Sequence, residues 1–170
     1  IPGLNIVGDL FEKKKLFLPQ LLVSADAAKA GFEILKQSIA TGASTEKGEP
    51  IVVCTVKGDI HDIGKNIVKV LLENYGYQVI DLGKDVPPEE VVKAARDHNA
   101  RLVGLSALMT TTVGAMEETI RQIRRTLPEC RVMVGGAVMT EEYARTIGAD
   151  FYGANAVASV SYANQLFHKQ

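Results

Sequence analysis

From residue 50 onward the chain alternates short apolar runs with longer amphipathic ones. No other feature constrains its fold as strongly. Residues 51–56, 78–81, 102–106, 131–134 and 150–152 read as strands. Residues 64–75, 88–98, 113–126, 140–147 and 154–168 read as helices. Five strands alternating with five helices predict an α/β domain, a parallel sheet with helices on both faces.

Right-handed crossovers restrict such a sheet to Rossmann-like or flavodoxin-like topologies, and five strands favour the flavodoxin-like order. The first 40 residues differ. Residues 4–16 and 18–39 place apolar side chains at helical spacing, among them Leu18, Leu21, Leu22, Ala25, Ala28, Phe32, Leu35 and Ile39. Pro19 suits a first helical turn. Residues 41–50 are polar, contain Gly and turn formers, and read as a linker. The expected organisation is a helical cap over residues 1–45 and the α/β domain over residues 46–170. Beginning at Ile1 without Met, the chain reads as lacking its natural start, which leaves the cap truncated.

With 46% hydrophobic residues in 170, the chain has the material for one well-filled core. A net charge of −1 gives no electrostatic reason to expect nucleic acid or an anionic membrane as partner. No apolar run approaches the roughly 20 residues that span a bilayer, and with no charged-then-apolar segment and small-residue cleavage site at its start the chain is not expected to be secreted. Cys54 and Cys130 are too few for a disulfide framework and read as buried thiols, which fits a reducing cytoplasm.

Three loops should meet at the C-terminal edge of the sheet, where open α/β sheets hold ligands. The first contains Asp59-Ile60-His61-Asp62-Ile63-Gly64, directly between a strand and a helix. An Asp two residues before a His can hold one ring nitrogen and leave the other free for a metal. Gly64 permits close approach of a bulky ligand. Asp62 is expected to be exposed and to cap the following helix. The second loop, residues 106–112, carries the hydroxyls of Ser106, Thr110, Thr111 and Thr112, which can bond a ligand or cap a helix. The third is Gly135-Gly136-Ala137, a tight turn or a place where a ligand passes closely. His98 reads as a helix C-terminal residue on the surface, and Lys13-Lys14-Lys15 as a solvated turn. Glu89-Glu90 and Glu117-Glu118 read as acidic first turns of helices.

The D-x-H-x-x-G pattern of Asp59, His61 and Gly64, the Ser106-x-Leu108 segment and the Gly135-Gly136 turn together resemble the cobalamin-binding module of methionine synthase. They equally resemble the corrinoid proteins of methyltransferase systems. Val7-Gly8-Asp9-Leu10-Phe11 followed by Phe17-Leu18-Pro19-Gln20-Leu21-Leu22 resembles the helical cap of the same group. The resemblance runs from about Val7 to the end. It implies cobalamin or a related cobamide as cofactor, with His61 as lower axial ligand of the cobalt. It implies a proton link from His61 through Asp59 to a hydroxyl, where methionine synthase has Ser and this chain has Thr112, with Thr110 as a second candidate. The loop residues Asp59, His61, Asp62, Ile63 and Gly64 would contact the cofactor. Ser106, Leu108, Gly135 and Gly136 would line a tunnel for its nucleotide tail. Phe11, Leu18 and Leu21 would cover the upper, methyl-bearing face.

The activity so implied is that of a methyl carrier serving methyl-donor and methyl-acceptor methyltransferase subunits or domains. Cap and cobalamin module also occur together in sensors that control a DNA-binding domain, but no basic helix-turn-helix is visible. Isomerase modules share D-x-H-x-x-G but lack this cap. A flavodoxin-like domain without corrinoid would be colourless on purification, whereas a bound cobamide is red or amber.

Overall fold

The computed structural model describes residues 2–17, 19–24, 26–27, 30–31 and 48–167. Leu18 and residues 41–47 of the expected linker lie outside them. Helix α1 spans Pro2–Glu12. The second helix, α2, is described at residues 19–24, 26–27 and 30–31. The α/β domain then runs β1 Pro50–Thr55, α3 Ile63–Asn74, β2 Gln78–Asp81, α4 Pro88–Asp97 and β3 Leu102–Ser106. A short 3-10 turn, Thr110–Thr112, leads into α5 Val113–Thr126. The series closes with β4 Arg131–Gly135, α6 Glu141–Thr146, β5 Phe151–Tyr152 and α7 Ala156–Leu166.

All strands are parallel, in the order β2-β1-β3-β4-β5. This is the flavodoxin-like order, with its switch point between β1 and β3. The strands are apolar on successive residues because helices cover both faces. On β1, Val52 and Cys54 face the cluster that includes Val91 of α4 and Met116, Ile120 and Ile123 of α5. Ile51 and Val53 face the opposite cluster, with Leu71 and Leu72 of α3 and Val160 and Ala163 of α7. Pro50 opens β1 rather than closing a linker, at a first strand residue where its missing N–H is tolerated.

Two expectations are corrected. Glu117 and Glu118 lie in the second turn of α5, where both pair with Arg121, and no acidic residue occupies the first turn. Asp62 occupies the N-cap of α3, but it is half-buried and its side chain makes no capping bond. Its main-chain oxygen accepts from Asn66 instead. Glu89 and Glu90 do fall in the first turn of α4, and His98 is the exposed C-cap of that helix.

Among the described residues no helix is long and apolar enough to cross a membrane. Both cysteines are free and buried. Burial pushes the Cys54 thiol up to about 12 and the Cys130 thiol up to about 11. A thiolate is the reactive form, so neither should react in the folded protein. Titration with an aromatic disulfide reagent at pH 8 should detect no thiol before unfolding and both after it. Rapid modification of the native protein would contradict the packing of β1 and β4.

Candidate functional site at the sheet edge

The site grows from β1. After Thr55 the chain turns at Val56–Gly58 and delivers Asp59 beneath the loop that follows β3. Asp59 is fully buried. Its Oδ1 accepts from the His61 backbone N–H at 3.0 Å and pairs with His61 Nδ1 at 2.8 Å. Its Oδ2 accepts from the Leu108 N–H at 2.7 Å, the Met109 N–H at 3.2 Å and the Thr112 hydroxyl at 3.0 Å. The Thr112 hydroxyl also faces the Met109 carbonyl at 2.8 Å. It has one proton, so it donates to one oxygen at a time.

Burial raises the affinity of the Asp59 carboxyl for a proton. The hydrogen bonds from His61 N–H, Leu108 N–H, the His61 ring and Thr112 outweigh it and hold the group well below the usual carboxylate range. An ionised carboxylate only accepts, so we assign the imidazole proton to Nδ1. Nε2 is then left with a lone pair and no protein partner among the described residues. The His61 side chain is 46% exposed, so that nitrogen is open to a ligand.

The remaining expected residues divide into two groups. Gly64, Ser106, Gly135 and Gly136 line a cavity of about 400 Å³, and Phe11 of α1 and Leu21 of α2 line it from the cap side. Leu108 lies outside that cavity. Its N–H is committed to Asp59, and its side chain is exposed beside the His61 loop. Thr110 is exposed, and Thr112 takes the place against Asp59. Thr112 is the N-cap of α5 but makes no capping bond, because its hydroxyl turns inward. Leu18 lies outside the described residues.

Several residues of the site were not singled out from the sequence. Ile60 and Met109 join Ile63 and Leu108 as large exposed apolar side chains in the two loops that meet at Asp59. Isoleucines in an otherwise polar loop were the available signal. Lys65 lines the cavity, and its buried ammonium bonds Asp81 at 2.7 Å and Asn66 at 2.6 Å. That ties the first turn of α3 to the end of β2.

A family model described as a B12 binding domain matches residues 49–161, and another with the same description matches residues 1–36. The chain belongs to the B12-binding domain family. Dimethylamine corrinoid protein 2 of Methanosarcina mazei is 45% identical over 166 residues, 96% of this chain and 78% of that protein. A cobalamin-binding protein from Desulfitobacterium hafniense superposes with a TM-score of 0.85 at 31% identity, covering 95% of this chain and 77% of that one. The methanol:cobalamin methyltransferase complex of Methanosarcina barkeri superposes with a TM-score of 0.82 at 32% identity, covering 98% of this chain and 64% of the matched chain. The cofactor of this B12-binding domain is cobalamin or a related cobamide.

The donor set fits such a group. Among the described residues no cluster of three or more His, Cys, Asp or Glu could hold a bare metal ion. A lone imidazole suits a metal whose other ligands come from a macrocycle. The exposed apolar residues around His61 suit the flat face of that macrocycle.

Gly136 is one place where this B12-binding domain tolerates no side chain. Its φ is 125°, and a Cβ there would lie 1.8 Å from the Ala107 carbonyl oxygen. The space is taken by backbone, so the first duty of Gly136 is to let the loops after β3 and β4 touch. At Gly135 an added Cβ would meet the Gly153 oxygen at 3.2 Å, a milder conflict. Gly136→Ala should therefore lower the unfolding free energy by about 2 kcal/mol or more, and Gly135→Ala by less. Urea denaturation of both variants checks this, and wild-type stability of Gly136→Ala would refute the contact.

Proposed function

We propose that this chain is a corrinoid-binding methyl carrier of a methyltransferase system, in which His61 Nε2 ligates the corrinoid cobalt from below. The observation that carries this reading is the His61 imidazole, a half-exposed ring anchored through Nδ1 to a buried, ionised Asp59, with no partner on Nε2 among the described residues. The bound corrinoid supplies a cobalt atom that accepts a methyl group from one partner and yields it to another. Asp59 fixes the ring tautomer and its orientation. Nε2 is the atom that would hold the metal. Thr112 steadies Asp59 Oδ2 and is the hydroxyl of the proton link.

Gly64, Ser106, Gly135 and Gly136 border the space for the nucleotide tail. The partners in this reading are the methyl-donor and methyl-acceptor methyltransferase subunits, which supply the substrate pockets, so the carrier alone need not be catalytic. The named functions of the corrinoid relatives support this, as do the two family matches. Two buried free thiols accord with a cytoplasmic setting.

Residues 1–45 serve in this reading as a cap that moves aside for each partner. Gly8 of α1 lies so close to α7 that a Cβ would come 2.6 Å from Val157 Cγ2, and Asn155 bonds Glu12. Phe11 and Leu21 face the cavity from this side.

The ligand assignment is tested by electron paramagnetic resonance of the cobalt(II) form, using 15N-labelled protein and unlabelled cofactor. Wild type should show splitting from a protein nitrogen. His61→Ala should lose it while retaining part of its corrinoid. Splitting from the cofactor's own base in wild type would defeat the assignment. For the cap, the Phe11→Ala/Leu21→Ala variant should lose the cobalt-bound methyl group faster in light, with nearly unchanged corrinoid affinity. Equal photolysis rates would return both residues to plain helix packing.

A further inference from the structure

Asp85 lies in the loop between β2 and α4, outside the three loops that follow β1, β3 and β4. Among the described residues only Lys14, Asp85 and Asn99 are non-glycine residues with positive φ. Lys14 sits in the turn after α1, and Asn99 follows the end of α4, where a left-handed residue commonly ends a helix. Asp85, with φ at 57°, ends no helix. It is also exposed, so the core does not require it.

Its contacts supply the reason. Asp85 Oδ1 accepts from the Gly58 N–H at 2.7 Å, and the Asp85 N–H donates to the Asp59 carbonyl at 3.0 Å. Thr55 N–H donates to Gly83 O at 2.9 Å, and Val86 N–H donates to Thr55 O at 3.1 Å. The β2–α4 loop is thus zipped along the end of β1 up to Asp59. The left-handed turn at Asp85 lets its side chain and its own N–H reach the same strand of the neighbouring loop.

His61 depends on Asp59 for its orientation. Its backbone N–H and its ring both bond Asp59 Oδ1, and its one other hydrogen bond among the described residues is a long 3.5 Å contact from Thr55 Oγ1 to its carbonyl. The Asp59 carboxylate is gripped from the β3 loop, by Leu108, Met109 and Thr112. Its backbone is gripped from the β2 loop, by Asp85. A side chain held at only one end can pivot.

We propose that Asp85 is a positioning residue for the corrinoid site: it clamps Gly58 and Asp59 from the β2–α4 loop and thereby aims the His61 imidazole. The inference rests on the reading of His61 as the cobalt ligand. It adds a fourth loop to the site and assigns it a role without contact with the cofactor.

Three variants separate the carboxylate from the backbone. Asp85→Asn keeps an acceptor and tolerates the left-handed region. Asp85→Gly adopts that region freely but has no acceptor. Asp85→Ala has neither property. Amide hydrogen exchange at Gly58 is measured by NMR in the cofactor-free protein. The fraction of cobalt showing protein-nitrogen splitting is measured in the loaded protein. Exchange at Gly58 should rise about tenfold or more in Asp85→Ala and Asp85→Gly, as expected for loss of a bond to a charged acceptor. The nitrogen-ligated fraction should fall in both. Asp85→Asn should match wild type in both measurements. The proposal is overturned if Gly58 stays protected in the Ala and Gly variants, or if its exchange rises with no change in ligation. Wild-type behaviour of Asp85→Gly alone would also overturn it, by assigning the effect to backbone relief. If wild type itself shows no protein-nitrogen splitting, the cobalt-ligand reading fails, and Gly58 exchange alone then decides whether the clamp exists.

Discussion

One buried carboxylate organises the C-terminal edge of this protein. Asp59 is fully removed from solvent, and among the described residues no lysine or arginine pairs with it. An uncompensated charge in such a place would cost several kcal/mol. Five donors, drawn from the loops after β1 and β3, offset that cost. The two loops are therefore joined through a single side chain, and the chain cannot seat Asp59 without also fixing His61, Leu108 and Thr112.

The sheet supplies the place for this join. In the order β2-β1-β3-β4-β5, the connections leave β1 and β3 toward opposite faces. A crevice opens between their C-terminal ends, as in other doubly wound sheets. Asp59 closes the bottom of that crevice and leaves the imidazole standing at its rim. On the far side, the absent side chain of Gly136 admits the Ala107 carbonyl, which draws the β4 loop against the β3 loop. The cavity is lined by Ser106 at the end of β3, by Gly136 after β4 and by Gly64 of α3. Close-packed walls and an imidazole with a fixed tautomer suit a corrinoid, which brings its own chemistry.

The cap is attached differently. α1 meets the domain at α7 through one close helix crossing and the Asn155–Glu12 hydrogen bond. Phe11 of α1 and Leu21 of α2 line the cavity from the same side.

The five-stranded parallel sheet was legible in the sequence, because strands buried on both faces leave unbroken apolar runs and the intervening helices show a period near 3.6. Asp59 and His61 were legible because their chemistry is local: two residues of spacing suffice for one to hold the other. The partner Thr112 was legible only through family resemblance, since the alternative hydroxyl at Thr110 is two residues away and both fit the pattern. Leu108 was placed in the tail cavity from its motif, but the structure commits its backbone to Asp59 and leaves its side chain outside. The ion pair of Lys65 with Asp81 and the hydrogen bond of Asp85 to Gly58 span 16 and 27 residues of sequence. No short pattern records such pairings. The amino-acid sequence by itself determined the elements, their parallel arrangement and the Asp59–His61 pair, all of which follow from neighbours along the chain. Which loops touch, which hydroxyl turns inward and which glycine makes room for backbone were decided by tertiary structure, because each depends on atoms brought together only when the sheet closes.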